Sequence, residues 1–421
     1  MKIITAILYF ISLSSVASYK GELNLENRYF HKDDNKELSN ELGNAVALKF
    51  SADYQGKNYF LKGSFLTRFD LQDEKRRYLY IEDLFVDYDI SNKIKLGAGY
   101  RIFNWRMMEL FYPSDNVNSR NFDGDLESLE KKGELTFDLN YRKNDHQFSF
   151  YYFPLFEKAI FPSYESRLGE GYDLTKYTLV TKDENRKGRK QASQYAIRYS
   201  GLIADTDFQL QYLRHIDRNT PVFGFSDYQV VPVLNSLAPI DSKDVRSHFY
   251  EVNELSTSFT KEIGETLFKF IGVYRDYLSR RDILVLNENS KFELYRPKDH
   301  YTQALGLEKM LSLERGHDVT FFMEWQKVFD RTSNALFQND LGVGARYALN
   351  DIEGTEFYSF YLFDLSGRDE GILSLKAARR LNEWMRYEIS YRYIYAGESD
   401  SFGLNLFKDD HYFTLNIKSY F

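Results

Sequence analysis

Between Phe103 and Lys132 the sequence crowds charge and aromatic surface into one stretch. Trp105-Arg106-Met107-Met108-Glu109-Leu110-Phe111-Tyr112 leads into Pro113, Asp115, Asn118, Arg120, Phe122 and Asp123. A loop that met only water would gain nothing from Trp105, Met107, Met108, Phe111 and Tyr112, because apolar surface is stabilised by leaving water. Those residues imply packing against a wall. The polar set then has two readings. In one, Arg106, Asp115, Arg120 and Asp123 face an aperture and set a transverse field across it. In the other, Asp115, Asn118 and Arg120 pin the loop by hydrogen bonds between side chains and loop backbone. The two are compatible.

Other chemistries lack their residue types. His31, His146, His215, His248, His300, His317 and His411 form no H-E-x-x-H pair. There is no G-x-S-x-G elbow. Asp123-Gly124-Asp125-Leu126-Glu127 carries acids but not the ordered ligand spacing of an EF-hand, and reads as a solvated acidic loop. The chain has no cysteine, so no disulfide or thiolate metal site can form. No catalytic residue, metal or cofactor is expected. A barrel enzyme of phospholipase or protease type would need a histidine with acidic and hydroxyl partners. His215 and His248 flank one connection, but the sequence supplies no partners for them. Lys+Arg 55 against Asp+Glu 62 gives a net charge of −7. A nucleic-acid partner would call for a basic excess, so none is expected.

The elements around this stretch alternate with period two. Ile94, Leu96, Ala98 and Tyr100 oppose Lys95, Gly97, Gly99 and Arg101; Leu135, Phe137, Leu139 and Tyr141 oppose Thr136, Asp138, Asn140 and Arg142. Val319, Phe321, Met323 and Trp325 form another apolar row, and Met385 to Tyr395 alternates likewise. Such runs are strands with one apolar and one polar face. An aromatic share of 17% beside a mean hydropathy of −0.51 fits strands whose aromatics meet lipid while the other face stays polar. Connections alternate short and long. Short ones lie near 55–58, 91–93, 143–146, 201–205, 262–265, 313–317, 350–354 and 382–383. Long ones lie near 31–41, 70–77, 103–132, 154–189, 216–245, 279–298, 331–339 and 397–409, with 367–371 a short member of that set.

The reading is therefore an all-β transmembrane antiparallel β-barrel with short periplasmic turns and long extracellular loops. Nine hairpins give about eighteen strands; sixteen is the competing count, because Phe249–Thr260 and Glu356–Leu365 have blurred parity. Charges facing lipid at mid-membrane would cost about 2–4 kcal/mol each. Arg101, Arg142, Arg198, Arg386 and Arg392, with Lys95 and Lys376, are accordingly assigned to the lumen. Acids such as Asp138 and Glu388 make that lumen mixed in charge, with mild anion preference as the sharper alternative.

Met1-Lys2, the apolar run Ile3–Leu13 and the small residues Ser14, Ser15, Ala17 and Ser18 read as a secretory signal peptide over 1–18, leaving one barrel domain over 19–421 with an in-folded loop at about 103–132. No later run of about 18 apolar residues offers a helical span. His411, Phe413, Leu415, Ile417, Ser419 and Phe421 share one face of the last strand, and that aromatic end resembles the signature read by the barrel-assembly machinery.

Tyr80–Pro162, about a fifth of the chain, is similar to a porin-like family of poorly characterised outer-membrane barrels. The resemblance rests on the Trp105 turn, a P-x-D-x-x-N-x-R loop formed by Pro113, Asp115, Asn118 and Arg120, and a later loop containing Pro154-Leu155-Phe156 and Phe161-Pro162. The family usually has Gly after the Trp, where this chain has Arg106. The resemblance implies a porin-like outer-membrane barrel and little about its solute; with the loop and lumen reading, the expectation is a bacterial outer-membrane channel for passive diffusion of small hydrophilic solutes, with Trp105, Arg106, Asp115, Asn118, Arg120 and Asp123 at its constriction. Its partners would be membrane lipid, lipopolysaccharide and the assembly machinery, and a homotrimer is one expected assembly. A barrel enzyme and a plugged structural or adhesive barrel are the alternatives.

Overall fold

A computed structural model describes residues 17–31, 41–123, 130–162, 166–169, 176–182, 185–187, 191–231, 236–286, 291–329, 337–367, 369–397 and 403–421. Residues 1–16 of the expected signal peptide lie outside them. The long strands are β1 (Ala17–Phe30), β2 (Leu42–Gln55), β3 (Tyr59–Asp70), β4 (Tyr78–Ser91), β5 (Ile94–Arg101) and β6 (Glu134–Lys143). Next come β7 (His146–Leu155), β8 (Gln191–Ile203), β9 (Thr206–Ile216), β10 (Arg246–Ile263), β11 (Thr266–Tyr277) and β12 (His300–Ser312). The last six are β13 (Asp318–Phe329), β14 (Asn339–Ala348), β15 (Glu356–Asp364), β16 (Glu370–Arg380), β17 (Met385–Ala396) and β18 (Tyr412–Tyr420).

Each strand pairs antiparallel with the next, and β18 pairs with β1. The ring is closed at eighteen, and both segments of blurred parity are strands, β10 and β15. At the seam, the Gly21 and Phe421 backbones exchange hydrogen bonds of 2.7 and 3.0 Å. The Phe421 ring lies over Gly21, where a Cβ would come within 2.2 Å of it. Closure leaves no unpaired edge, the condition for crossing a bilayer with strands.

Alternation decides which residues face out. Leu96, Phe137, Phe150, Phe321 and Ile389 are each more than 40% exposed, while inner-row neighbours such as Asp138, Ser149 and Phe322 are buried. A belt of large exposed apolar side chains round a closed barrel is a lipid-facing surface. In β4 a bulge preserves that belt. Ser64 pairs with Asp83 and Phe65 with Ile81, so Glu82 is the extra residue. The bulge lets consecutive acids, Glu82 and Asp83, both turn inward.

One end of the barrel carries the short turns and the other the long connections. The long ones are more ordered than their loop-like sequences suggest. Short strand Tyr177–Val180 lies parallel to Ser247–Tyr250 of β10, and Val222–Gly224 pairs with Arg246–His248. Hairpins Tyr228–Val231/Ser236–Pro239 and Ile283–Leu286/Phe292–Tyr295 complete this cap. β10 is 18 residues long, so its upper part projects past its neighbours and offers a free edge to these segments.

Candidate functional site

The connection from Arg101 to Glu134 folds into the barrel. Its root is fixed by aromatic packing: Phe103 and Trp105 lie 5.4 Å apart, and Trp105 meets Tyr151 of β7 at 5.6 Å. Val117, Phe153, Ala196 and Leu213 complete this cluster. The tip is fixed to the far wall. Met108 and Phe111 pack with Ile271 and Val273 of β11, Ala304 of β12, Phe322 of β13, Phe360 and Leu362 of β15 and Ile372 of β16. The Glu324 carboxylate on β13 accepts backbone N–H bonds from Glu109 (2.6 Å), Leu110 (2.8 Å) and Phe111 (3.2 Å). On β14, Gly342 leaves room for Leu110, whose Cδ1 would sit 2.2 Å from any Cβ added there. Arg346 of β14 pairs with Glu109 at 3.5 Å. β13 and β14 lie about half-way round the ring from β5 and β6, so the loop crosses the lumen.

The residues singled out by their spacing hold this loop. Asn118 Oδ1 accepts from the Phe103 N–H at 2.7 Å, and its amide donates to the carbonyls of Arg101 (2.9 Å) and Lys132 (2.8 Å). Asp115 pairs with Lys131. Arg120 lies 4.4 Å from the Tyr112 ring and donates to the Asp115 carbonyl. Asp123 is separate from these, facing Arg76 of the β3–β4 connection (3.6 Å) and Arg28 of β1 (4.0 Å). Of the four charges offered to an aperture, Asp115, Arg120 and Asp123 are buried and Arg106 alone is exposed, above Tyr112 at 5.8 Å. The return limb runs beneath other connections, so its charged groups meet protein instead of water. Burial pushes the Asp123 carboxyl up, with the Arg76 and Arg28 guanidiniums opposing. Burial pulls the Lys131 ammonium down, with Asp115 opposing.

Two further networks flank the loop, and the sequence pattern named few of their members. Glu26 of β1 contacts Arg76 (2.7 Å) and Arg68 (3.0 Å); Arg76 also reaches Asp70 (2.8 Å), and Arg68 reaches Glu130 (2.8 Å) on the return limb. On the other side, Arg275 of β11 binds Asp217 (2.7 Å) and Glu254 (3.0 Å). Glu254 also accepts from Asn116 at 3.0 Å. Arg218 meets Glu134 at 3.2 Å and donates to the loop carbonyl of Val117 at 2.6 Å. Asp217 is fully enclosed. Burial alone would raise its carboxyl, but Arg275, His215 and hydrogen bonds from Thr220 and Asn219 together outweigh that and hold it at about 2. His215 and His248 are 1% and 0% exposed, so neither can meet a substrate.

The assigned lumen arginines lie on inner rows. Arg101 contacts Asp87 and, at 3.6 Å, Asp138. Arg198 stacks on Trp105 at 5.3 Å and bonds Gln209 at 2.6 Å. Arg386 pairs with Glu356. Arg392 is buried near Tyr412, and Arg142 is exposed and bonds Gln147 at 2.9 Å. Along β2 to β5 partly exposed lysines meet inner-row acids, Lys49 with Glu82 and Lys62 with Asp83, both at 2.8 Å, and Lys95 with Asp87 and Asp89 at 3.8 Å; Glu82, Asp83 and Asp87 are themselves buried. Among the described residues no group of three His, Asp or Glu is arranged to hold a metal.

No family model matches this sequence, and no curated protein matches it. Among solved structures the chain is similar to Pseudomonas aeruginosa OpdO, at 10% identity and a TM-score of 0.53, over 96% of each chain. It is similar to P. aeruginosa OccD3 (OpdP), at 12% and 0.51, over 97% of this chain and 91% of that one. It is also similar to Acinetobacter baumannii OccAB3, at 12% and 0.50, over 96% and 99%. At such identities the likeness is one of fold: a closed barrel of this size and connectivity.

Proposed function

We propose that this chain is an outer-membrane channel of porin type that passes small hydrophilic solutes by diffusion through a lumen narrowed by the loop between Arg101 and Glu134. The observation that carries the reading is the crossing of that loop to Glu324 on the opposite wall. A loop held at both ends across a water-bearing barrel limits size and charge together. The apolar belt, the partly exposed lysines on the inner rows of β2, β3 and β5 and the resemblance over Tyr80–Pro162 support the same reading. Residues 1–18 act as the export signal. The short turns and both termini lie in the periplasm, the long connections face outward among lipopolysaccharide, and Phe421 serves recognition by the assembly machinery. Migration on gels with and without boiling reads whether the folded barrel is a monomer or a homotrimer.

A second reading, a plugged structural barrel, has one observation in its favour: the long-connection half of the lumen is filled by buried side chains. The enzyme reading draws no support from His215 and His248, which are sealed. The test is current through planar bilayers containing the refolded chain. Discrete steps of small amplitude are expected. Silence from protein that migrates as a folded barrel overturns the channel and leaves the plug.

A further inference from the structure

We propose that Glu324 is the positioning residue of the crossing loop: a latch on the barrel wall that holds the tip down and thereby sets the aperture without itself meeting solute. The inference rests on the channel reading for its consequence, but not for its geometry. Glu324 is 2% exposed, and its carboxylate is occupied by three consecutive loop N–H groups. Three converging backbone donors make a concave anion site, and the wall supplies the anion. Bonds to an ionised acceptor are roughly twice as strong as neutral ones. The formal charges near it are engaged elsewhere: Lys269 of β11 with Glu308 of β12 (2.6 Å), and Glu109 with Arg346 (3.5 Å).

The rest of the tip contact is apolar and shaped. Met108 is 2% exposed against the inner wall, and Leu110 occupies the notch above Gly342. Those contacts have no direction of their own, since apolar burial is proportional to area and indifferent to angle. The carboxylate supplies the direction. It bonds consecutive N–H groups on one side of the tip, so it fixes where the tip lands as well as how firmly it lands. Among the described residues Glu324 has no ion-pair partner of its own; a barrel lumen is an expensive place for such a buried carboxylate, and the three loop donors compensate it. Loop and wall therefore stabilise each other, and neutralising Glu324 loosens the tip.

The chain has no cysteine, which makes the test direct. Met108→Cys places one thiol under the tip, and Val117→Cys places a control thiol in the loop root, where Val117 is 0% exposed. Both are prepared as full-length barrels in lipid vesicles, with and without Glu324→Gln, and treated with a soluble maleimide. Glu324→Gln is expected to raise labelling at position 108 about tenfold, equivalent to about 1.4 kcal/mol of tip release, while labelling at 117 and heat-resistant gel migration stay unchanged. Glu324→Asp, which keeps the charge, falls between. Unchanged labelling at 108 overturns the latch, and equal rises at 108 and 117 overturn it in favour of general loosening. Should Glu324→Gln fail to fold, Glu324→Asp is read in its place: it keeps the charge but shortens the reach to the three loop N–H groups, so a smaller rise at 108 is expected, and unchanged labelling overturns the latch. Labelling needs no current, so a silent bilayer with a tenfold rise at 108 would sink the channel and keep the latch, whereas a conducting barrel with flat labelling would do the reverse.

Discussion

Two sets of charges in the lumen use the same residue types in opposite ways. Towards the long connections, Glu134, Glu254 and Asp217 are sealed, and each is held by a guanidinium. Along β2 to β5, the Lys49, Lys62 and Lys95 side chains keep about two-fifths of their surface exposed while paired to the buried carboxylates of Glu82, Asp83 and Asp87. Both sets sit on inner rows of alternating strands. The difference is what covers them. In-folded connections remove water from the upper set, so each charge there needs a partner to remain charged. In the β2–β5 set only the lysines have water as an alternative partner, so these pairs are dispensable from the lysine side. Pairing around Arg218 and Arg275 is thus structural on both sides, and pairing along β2 to β5 leaves the lysine ends free to rearrange.

The sharpest way to break this contrast is to remove one cation from the sealed half. Arg275→Leu removes the guanidinium shared by Asp217 and Glu254 and leaves them the hydrogen bonds from Asn219, Thr220 and Asn116, and should cost about 3–5 kcal/mol in urea unfolding from lipid vesicles. A cost under about 1 kcal/mol would mean that the upper half is wet after all. Next, Gly342→Val drives a side chain into Leu110, an overpacking expected to cost about 1–3 kcal/mol; because the clash falls on the loop, protease sensitivity near the tip should rise while the barrel stays resistant to heat.

An acid titration probes the same half more gently. Asp217 is lowered from its ordinary 3.8 to about 2. A depressed carboxylate contributes stability that is fully present above about pH 4 and is lost as pH falls towards 2 and below. About 2 kcal/mol should disappear across that window, and Asp217→Asn should flatten this part of the curve. The smallest effect belongs to the partly exposed lysines: Lys62→Ala should change stability by about 0–1 kcal/mol, and a change as large as that of Arg275→Leu would erase the distinction between the two sets.

Much of the fold was legible because the signal was periodic. Rows such as Ile94–Tyr100 and Met385–Tyr395 announce their lipid face by alternation alone, and short turns such as 143–146 end them. Parity was lost in the upper part of β10, where Phe249 and Tyr250 are both buried because a cap packs on the projecting strand. The cap strands were not legible, since Tyr177–Val180 is four residues long and owes its conformation to a distant edge. The site was legible in part. Trp105, Met108 and Phe111 signalled packing by being apolar in a loop, and the Pro113–Arg120 spacing marked a residue cluster that bonds its own backbone. Glu324 could be placed on the inner row opposite Met323 and Trp325, but nothing local says that its partners are 213–215 positions away. Asp123 was grouped with its neighbours in sequence, whereas its partners Arg28 and Arg76 come from other hairpins.

Whether the loop between Arg101 and Glu134 narrows a conducting lumen is read most directly from single-channel current. The full-length barrel is compared with a variant in which Met107–Phe111 is replaced by a short Gly-Ser link, both checked for heat-resistant migration before insertion. Small discrete steps are expected from the parent chain and clearly larger ones from the variant. Equal step sizes, or silence from both, would contradict a loop-narrowed channel.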